Sequence, residues 1–263
     1  MKKNLILGTA IDYDWEKVKI FVKSIRAHSN CEIYFLVNNL NRFIKKKFDI
    51  YKIKLIHCNL RPYEFRYRYI YFFNFLKKNR NNYKNVFFTD VRDVFFQTNP
   101  FKNIIQNINF FEEEEIIKNC KINSLWIKSC LGNKKYEKFK NRYIICSGTV
   151  IGRTNFMIKY FKLMAQRVKK LRMKFSIVEY MLIRKIRYGL DQPACHDIVY
   201  SKIFKKQKIF INKYSYIATV AHMKDFLFDK FYRLKNNKGL IYSVVHQYDR
   251  FKDNFVKYVK NYY

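Results

Sequence analysis

Asp90, Arg92 and Asp93 stand in Val86-Phe87-Phe88-Thr89-Asp90-Val91-Arg92-Asp93-Val94-Phe95-Phe96-Gln97, a segment otherwise dominated by aliphatic and aromatic residues. Unpaired charge in such surroundings is costly, so these three groups need partners. Two carboxylates at the end of a buried strand suit a hard divalent cation, which in turn holds a diphosphate. Pairing of Arg92 with Asp90 or Asp93 is the other reading of the same residues. Four further places carry chemistry-bearing types. Gly189-Leu190-Asp191-Gln192 offers an acid and an amide, although Asp191 also fits a helix cap or turn. Val244-Val245-His246-Gln247-Tyr248-Asp249-Arg250 offers an imidazole that also fits a satisfied core histidine. Cys146-Ser147-Gly148-Thr149 with Gly152 lets a ligand, or another strand, approach the backbone. Arg66 and Arg68 either steady a nucleotide or pair with an acid.

The elements that must position these groups are legible from periodicity. Residues 3–11 read as an apolar strand ending in small residues, and Asp14 precedes a helix whose Val18, Phe21, Val22 and Ile25 keep a 3.6-residue period. Residues 32–37 and 52–58 read as strands, 63–78 as an aromatic amphipathic helix, and 85–89 as a buried strand ending at Asp90. This alternation predicts a mostly parallel sheet with crossover helices, whose ligands bind beyond the carboxyl ends of strands. Thr9–Tyr13 and Thr89–Asp93 fall at two such ends. In the second half, 142–151 reads as a strand and 155–174 and 177–187 as basic helices. Short strands and loops follow to 242–246, then a basic, aromatic tail from Lys252. Glu112–Glu115 reads as a solvated helix face without chemistry.

Composition narrows the function classes. The 263 residues are 49% hydrophobic with 26 Phe and 22 Tyr, which suits a folded α/β chain and excludes disorder. Six glycines and three prolines exclude collagen-like and linker-rich architectures, and the glycines form neither a dinucleotide fingerprint nor a P-loop. No nucleophile elbow or His-Glu-x-x-His motif occurs, and the six scattered cysteines contain no Cys-x-x-Cys pair. No signal-like h-region or membrane-length apolar run is visible, so a cytoplasmic protein with reduced thiols is expected. The 54 Lys+Arg against 20 Asp+Glu give a net charge of +34. That charge reads either as AT-rich coding bias or as attraction to polyanions.

Taken in chain order, these motifs resemble nucleotide-sugar glycosyltransferases of the GT-A fold. Thr89–Asp93 resembles the family's metal-binding Asp-x-Asp turn, with one departure: residue 92 is arginine and the second acid is Asp93. Either Asp93 replaces the second acid or Arg92 lends its charge to the diphosphate. The resemblance implies a GT-A-like α/β fold, a Rossmann-like, mostly parallel sheet flanked by helices with a smaller acceptor lobe. It implies one domain over 1–263, with 1–110 binding the nucleotide-sugar and 111–263 facing the acceptor. Asp90, Asp93 and His246 would hold Mn2+ or Mg2+. Thr9, Ala10, Tyr13, Arg68, Thr89, Asp90, Arg92 and Gly148 would line the donor site, and Asp191 and Gln192 would act in catalysis. The implied partners are a nucleotide-sugar donor and a glycan or lipid-linked acceptor, with no specific nucleic acid. Basic helices over 159–187 and the tail add peripheral association with an anionic inner membrane face as an expectation. The competing reading is a basic nucleic-acid-binding protein or metal-dependent nuclease, suggested by the charge and by Tyr and Arg interleaved over 65–71.

Overall fold

In the computed structural model, residues 2–104, 106–171, 190–250, 255–257 and 259 are described. Seven strands form one sheet in the order β3-β2-β1-β4-β7-β6-β8. They are β1 (Lys3–Thr9), β2 (Glu32–Val37), β3 (Ile53–His57), β4 (Tyr83–Thr89), β6 (Ile108–Ile116), β7 (Tyr143–Arg153) and β8 (Gln207–Phe210). All run parallel except β7, which is antiparallel to both β4 and β6. The strands alternate, as a period of two requires. Leu5, Leu7, Val86 and Phe88 pack on one face beneath α3 (Arg68–Lys78), α6 (Thr154–Lys170) and α7 (Gln192–Tyr200). Ile6, Phe35 and Phe87 pack on the other beneath α1 (Trp15–His28) and α2 (Arg42–Ile50). The result is an α/β fold with a mixed, mostly parallel central sheet covered by helices on both faces.

A second sheet of three short strands, β5 (Val94–Phe96), β12 (Val244–His246) and β9 (Ile217–Thr219), packs its own core of Phe95, Ala218, Val245 and Tyr248. A hairpin of β10 (Leu227–Phe228) and β11 (Leu234–Lys235) joins it. In the second sheet β12 lies antiparallel to β5, with His246 opposite Val94. That pairing carries a residue from the end of the chain to the place where β4 has just ended.

The first half follows the sequence expectation closely. Asp14 caps α1, accepting from the Lys17 amide at 2.9 Å, and β1 to β4 fall where the periodicity puts them. Among the described residues, four helices were not marked by the pattern: α2, α4 (Lys121–Leu131), α5 (Asn133–Phe139) and α7. Two expectations are corrected. Glu112–Glu115 is not a solvated helix face but the second half of β6, with Glu113 only 5% exposed. Pairing with β7 decides its conformation against the weak strand propensity of glutamate. Residues 192–200, expected among strands and loops, form α7, which has Pro193 in its first turn, a position the ring tolerates. The expected helix over 177–187, Gly189 and the tail from Lys252 to Asn254 lie outside the described residues. All six cysteines are free thiols. Among the described residues, no helix is long and apolar enough to cross a membrane.

Candidate functional site

The strand order reverses between β1 and β4, and in parallel α/β sheets ligands bind beyond the carboxyl ends of the strands at such a point. Gly8 allows the loop after β4 to lie against β1, since a Cβ would meet Val91 Cγ2 at 2.4 Å. The loop after β1 is clipped to that after β2. Asn38 Nδ2 donates to Asp12 Oδ1 at 2.6 Å, and the Asp12 amide donates to Asn38 Oδ1 at 3.0 Å. Thr9 and Ala10 are buried beneath this loop, and Tyr13 is half-buried above it. Burial and the nearby Asp90 and Asp93 push the Tyr13 phenol up to about 12.

At the end of β4, Asp90, Asp93 and His246 each offer a ligand atom, and the three atoms lie within 4.8 Å of one another. His246 Nε2 stands 3.6 Å from Asp90 Oδ2 and 3.7 Å from Asp93 Oδ1. This nitrogen is buried and has no hydrogen-bond partner among the described residues. An orphaned imidazole nitrogen aimed between two carboxylates is a donor set that a divalent cation completes. Its other ring nitrogen, Nδ1, is 3.1 Å from Cys146 Sγ, which fixes the ring. Asp93 and His246 are also tied through backbone. Gln247 takes a left-handed φ of 62°, and its amide donates to the Asp93 carbonyl at 2.7 Å. A non-glycine residue held there stores strain, which accumulates at sites where geometry must be enforced.

The two acids are electrostatically unlike. Burial works to raise Asp90, but the Arg68 guanidinium and His246 outweigh it and hold its carboxyl well below the usual range. Burial pushes Asp93 up, with Asp90 and Asp249 adding to the effect and His246 opposing it. Arg68 is itself only 1% exposed. It donates to Asp90 Oδ1 at 2.7 Å and to Asp191 Oδ2 at 2.9 Å, and the Tyr69 hydroxyl also donates to Asp191 Oδ2 at 2.6 Å. Of the two sequence readings of Arg68, pairing with acids is the one observed. Asp191 occupies the N-cap position of α7 without capping it, because Arg68 and Tyr69 engage its side chain. Arg92 is half-exposed and reaches Asp249 at 3.2 Å and Asp93 at 3.7 Å.

Gly148 forms the floor. A Cβ there would stand 2.4 Å from Asp90 Oδ2 and 3.0 Å from His246 Cε1. Its carbonyl accepts from the Asp90 amide at 2.8 Å. Thr89, fully buried, turns its hydroxyl onto the Asp90 carbonyl. Gln192 Oε1 accepts from the Ser147 hydroxyl at 2.6 Å and from the Ser147 amide at 3.2 Å. The Gln192 side chain also favours the charged form of Glu113, against the larger effect of burial. No protein-family model matches this sequence, and no curated protein matches it.

The structure therefore gathers Asp90, Asp93, His246, Gly148, Arg92 and Tyr13 near the carboxyl ends of β1 and β4, with Thr9, Ala10 and Thr89 buried. Asp191 and Gln192 support this group from behind, through Arg68 and Ser147. Three residues were missed. Glu113, raised by burial and opposed by His222 at 3.4 Å, feels the charge of His246 as well. Its signal was the strand phase of Phe111 and Glu113, which places both on one face. Tyr69 and His196 were concealed among ordinary helical residues. His196 follows Gln192 by four residues, one turn along α7, and accepts from the Ile145 amide at 3.1 Å.

Proposed function

We propose that the chain is a metal-assisted glycosyltransferase of GT-A type, moving a sugar from a nucleoside-diphosphate donor to a hydroxyl acceptor. The observation that carries this reading is the Asp90–Asp93–His246 cluster set where the strand order reverses between β1 and β4. Parallel α/β sheets bind nucleotides at such a place. The small β5–β12–β9 sheet that delivers His246 fits the acceptor-side lobe that the reading requires.

Asp90, Asp93 and His246 are the residues that hold the ion, Mn2+ or Mg2+. When bound, such an ion neutralises the charge that develops on the departing nucleoside diphosphate. Arg68 holds one oxygen of Asp90 and leaves the other for the metal side. Arg92, half-exposed at the rim, adds a positive charge within reach of a diphosphate while Asp249 steadies it. Tyr13 and the buried Thr9–Ala10 turn shape the wall against the nucleoside. Asp191 acts through Arg68 and Tyr69, and Gln192 through Ser147, so both are positioning residues in this mechanism. The acceptor is a glycan or a lipid-linked hydroxyl approaching over residues 190–250.

Thermal melts with a panel of UDP-, GDP-, CMP- and dTDP-sugars, with and without Mn2+, test the reading. One nucleotide class is expected to stabilise the protein only with metal, by about 2.7 kcal/mol at about 100 times its dissociation constant. Asp93→Asn is expected to abolish that shift. The net charge of +34 favours a second reading, a nucleic-acid-binding protein. No nucleotide-sugar shift, together with a shift by a short DNA duplex, would replace the first reading by the second.

A further inference from the structure

Large apolar side chains are exposed unevenly over the molecule. Ile211, Tyr214, Leu227, Phe231, Tyr232 and Leu240 are each 46–64% exposed, and all fall within residues 211–240. Over 205–240 the chain carries nine Lys or Arg against only Asp225 and Asp229, and Arg233 pairs with Asp229 at 2.7 Å. Exposed apolar residues concentrated in this way mark a contact surface.

Part of this surface is built into a cleft. The strand β8 forms an open edge of the central sheet. Beside it lies a cleft of about 440 Å3, floored by Phe210 and Tyr216 and edged by Ile211, Tyr214 and Leu240. Two connections hold its far wall against the near one. The Asn237 amide donates to the Lys213 carbonyl at 2.8 Å, and Asn236 Nδ2 donates to the Ser215 carbonyl at 2.8 Å. Lys208 and Lys238 stand in the lining, with no carboxylate among the lining residues. The Lys213 and Lys238 ammonium groups both lie within 6.0 Å of the Tyr214 ring.

We propose that this face docks the protein on an anionic phospholipid bilayer. Ile211, Tyr214 and Leu240 enter the headgroup–acyl boundary, the cleft takes an acyl chain, and Lys208, Lys213 and Lys238 meet the phosphates. Charge complementarity selects this occupant. An apolar centre ringed by lysines without acids matches a surface that is apolar within and negative at its rim. Long lysine stems lie along apolar surface while their heads remain in the polar layer. The face is distinct from the metal cluster, and the inference does not depend on the reaction catalysed there.

Sedimentation with phosphatidylcholine vesicles, with and without about 30% phosphatidylglycerol at about 150 mM salt, tests it. The wild-type protein is expected to pellet with the anionic vesicles only. Ile211→Ser with Leu240→Ser keeps every charge and is expected to weaken partitioning by about tenfold. Lys208→Gln with Lys238→Gln is expected to weaken it as much, while Lys45→Gln with Lys46→Gln on exposed α2 changes it less than about twofold. Thermal melts confirm that each variant remains folded. Equal binding by the Ile211/Leu240 variant, or an equal loss in the α2 variant, overturns the proposal by reducing the attraction to diffuse charge. So does failure to bind vesicles while a labelled oligoglutamate peptide binds the cleft.

Discussion

At Gly148 the absence of a side chain lets Asp90 and His246 approach the backbone closely. Any Cβ would press on Asp90 Oδ2 at 2.4 Å and on the His246 ring at 3.0 Å, so two of the three candidate ligands must move. Gly148→Ala is therefore expected to weaken Mn2+ binding by at least about tenfold, measured by calorimetric titration, with a smaller effect on the melting temperature. Arg68 and Arg92 form a second contrast at this scale. Arg68 bridges Asp90 and Asp191 from within the core, and replacing it leaves two acids without their shared cation. Arg68→Met is expected to cost about 3–5 kcal/mol in urea unfolding. Arg92 is half-exposed, and its two contacts are longer. Arg92→Met is expected to cost less than about 1 kcal/mol in stability while weakening donor binding. The sequence shows two arginines near two acids and does not say which is buried. Burial depends on Phe65 and Phe88 closing over the Arg68 guanidinium, with ring centroids at 4.0 and 4.7 Å, a contact no local pattern encodes.

Between elements, α7 and β7 are joined by His196. Its Nε2 accepts from the Ile145 amide, so its Nδ1 carries the hydrogen that it donates to the Gln192 carbonyl at 2.9 Å. Burial brings its pKa down to about 4 from the ordinary 6.5. The unfolded chain thus binds a proton near pH 6.5 that the fold refuses until about pH 4. This contribution is complete above pH 6.5 and is lost as the pH falls towards 4, by up to about 3 kcal/mol. Glu112 on β6 has the opposite sense. Burial pushes its carboxyl up to about 7 from 4.5, so its ionisation destabilises the fold as the pH rises across that interval. Urea midpoints between pH 4 and 7 should show His196→Gln removing a loss of stability towards acid, and Glu112→Gln removing an opposing gain as the pH falls from about 7 to 4.5. Neither residue was singled out from sequence. The strands β1 to β4 and helix α1 were legible because each alternates or repeats within its own few residues. The partnership of β12 with β5 was not, because it joins residues about 150 positions apart through a sheet of only three short strands. Asp90, Asp93 and His246, grouped in the sequence only through a family resemblance, do come together in the structure, whereas Glu113 lay hidden in an acidic run whose strand pairing supplies its burial.

For the molecule as a whole, the decisive issue is whether a charge of +34 acts through diffuse attraction or through sites. Diffuse attraction to DNA arises from counterion release, so with several phosphate contacts it falls by about a thousandfold or more between roughly 50 and 200 mM salt. Interactions at the Asp90–Asp93–His246 cluster are shielded from that screening, because Asp93 and His246 are almost wholly buried. The two modes should therefore separate in one experiment. A fluorescent DNA duplex is expected to bind at low salt with equal affinity to wild type and Asp93→Asn, and to be released as salt rises. Metal-dependent stabilisation by the nucleotide-sugar is expected to persist at 200 mM salt in wild type and to be absent from Asp93→Asn. Anionic vesicles should behave in a third way, since the apolar part of the β8 cleft contact survives salt that removes the lysine contribution. Sub-micromolar DNA binding that survives about 200 mM salt would mean that the basic surface is organised to read nucleic acid. The buried acids at the end of β4 would then need another explanation. Release of DNA over that range, with the nucleotide effect intact, would make the charge a property of the surface and leave the specific chemistry to Asp90, Asp93 and His246.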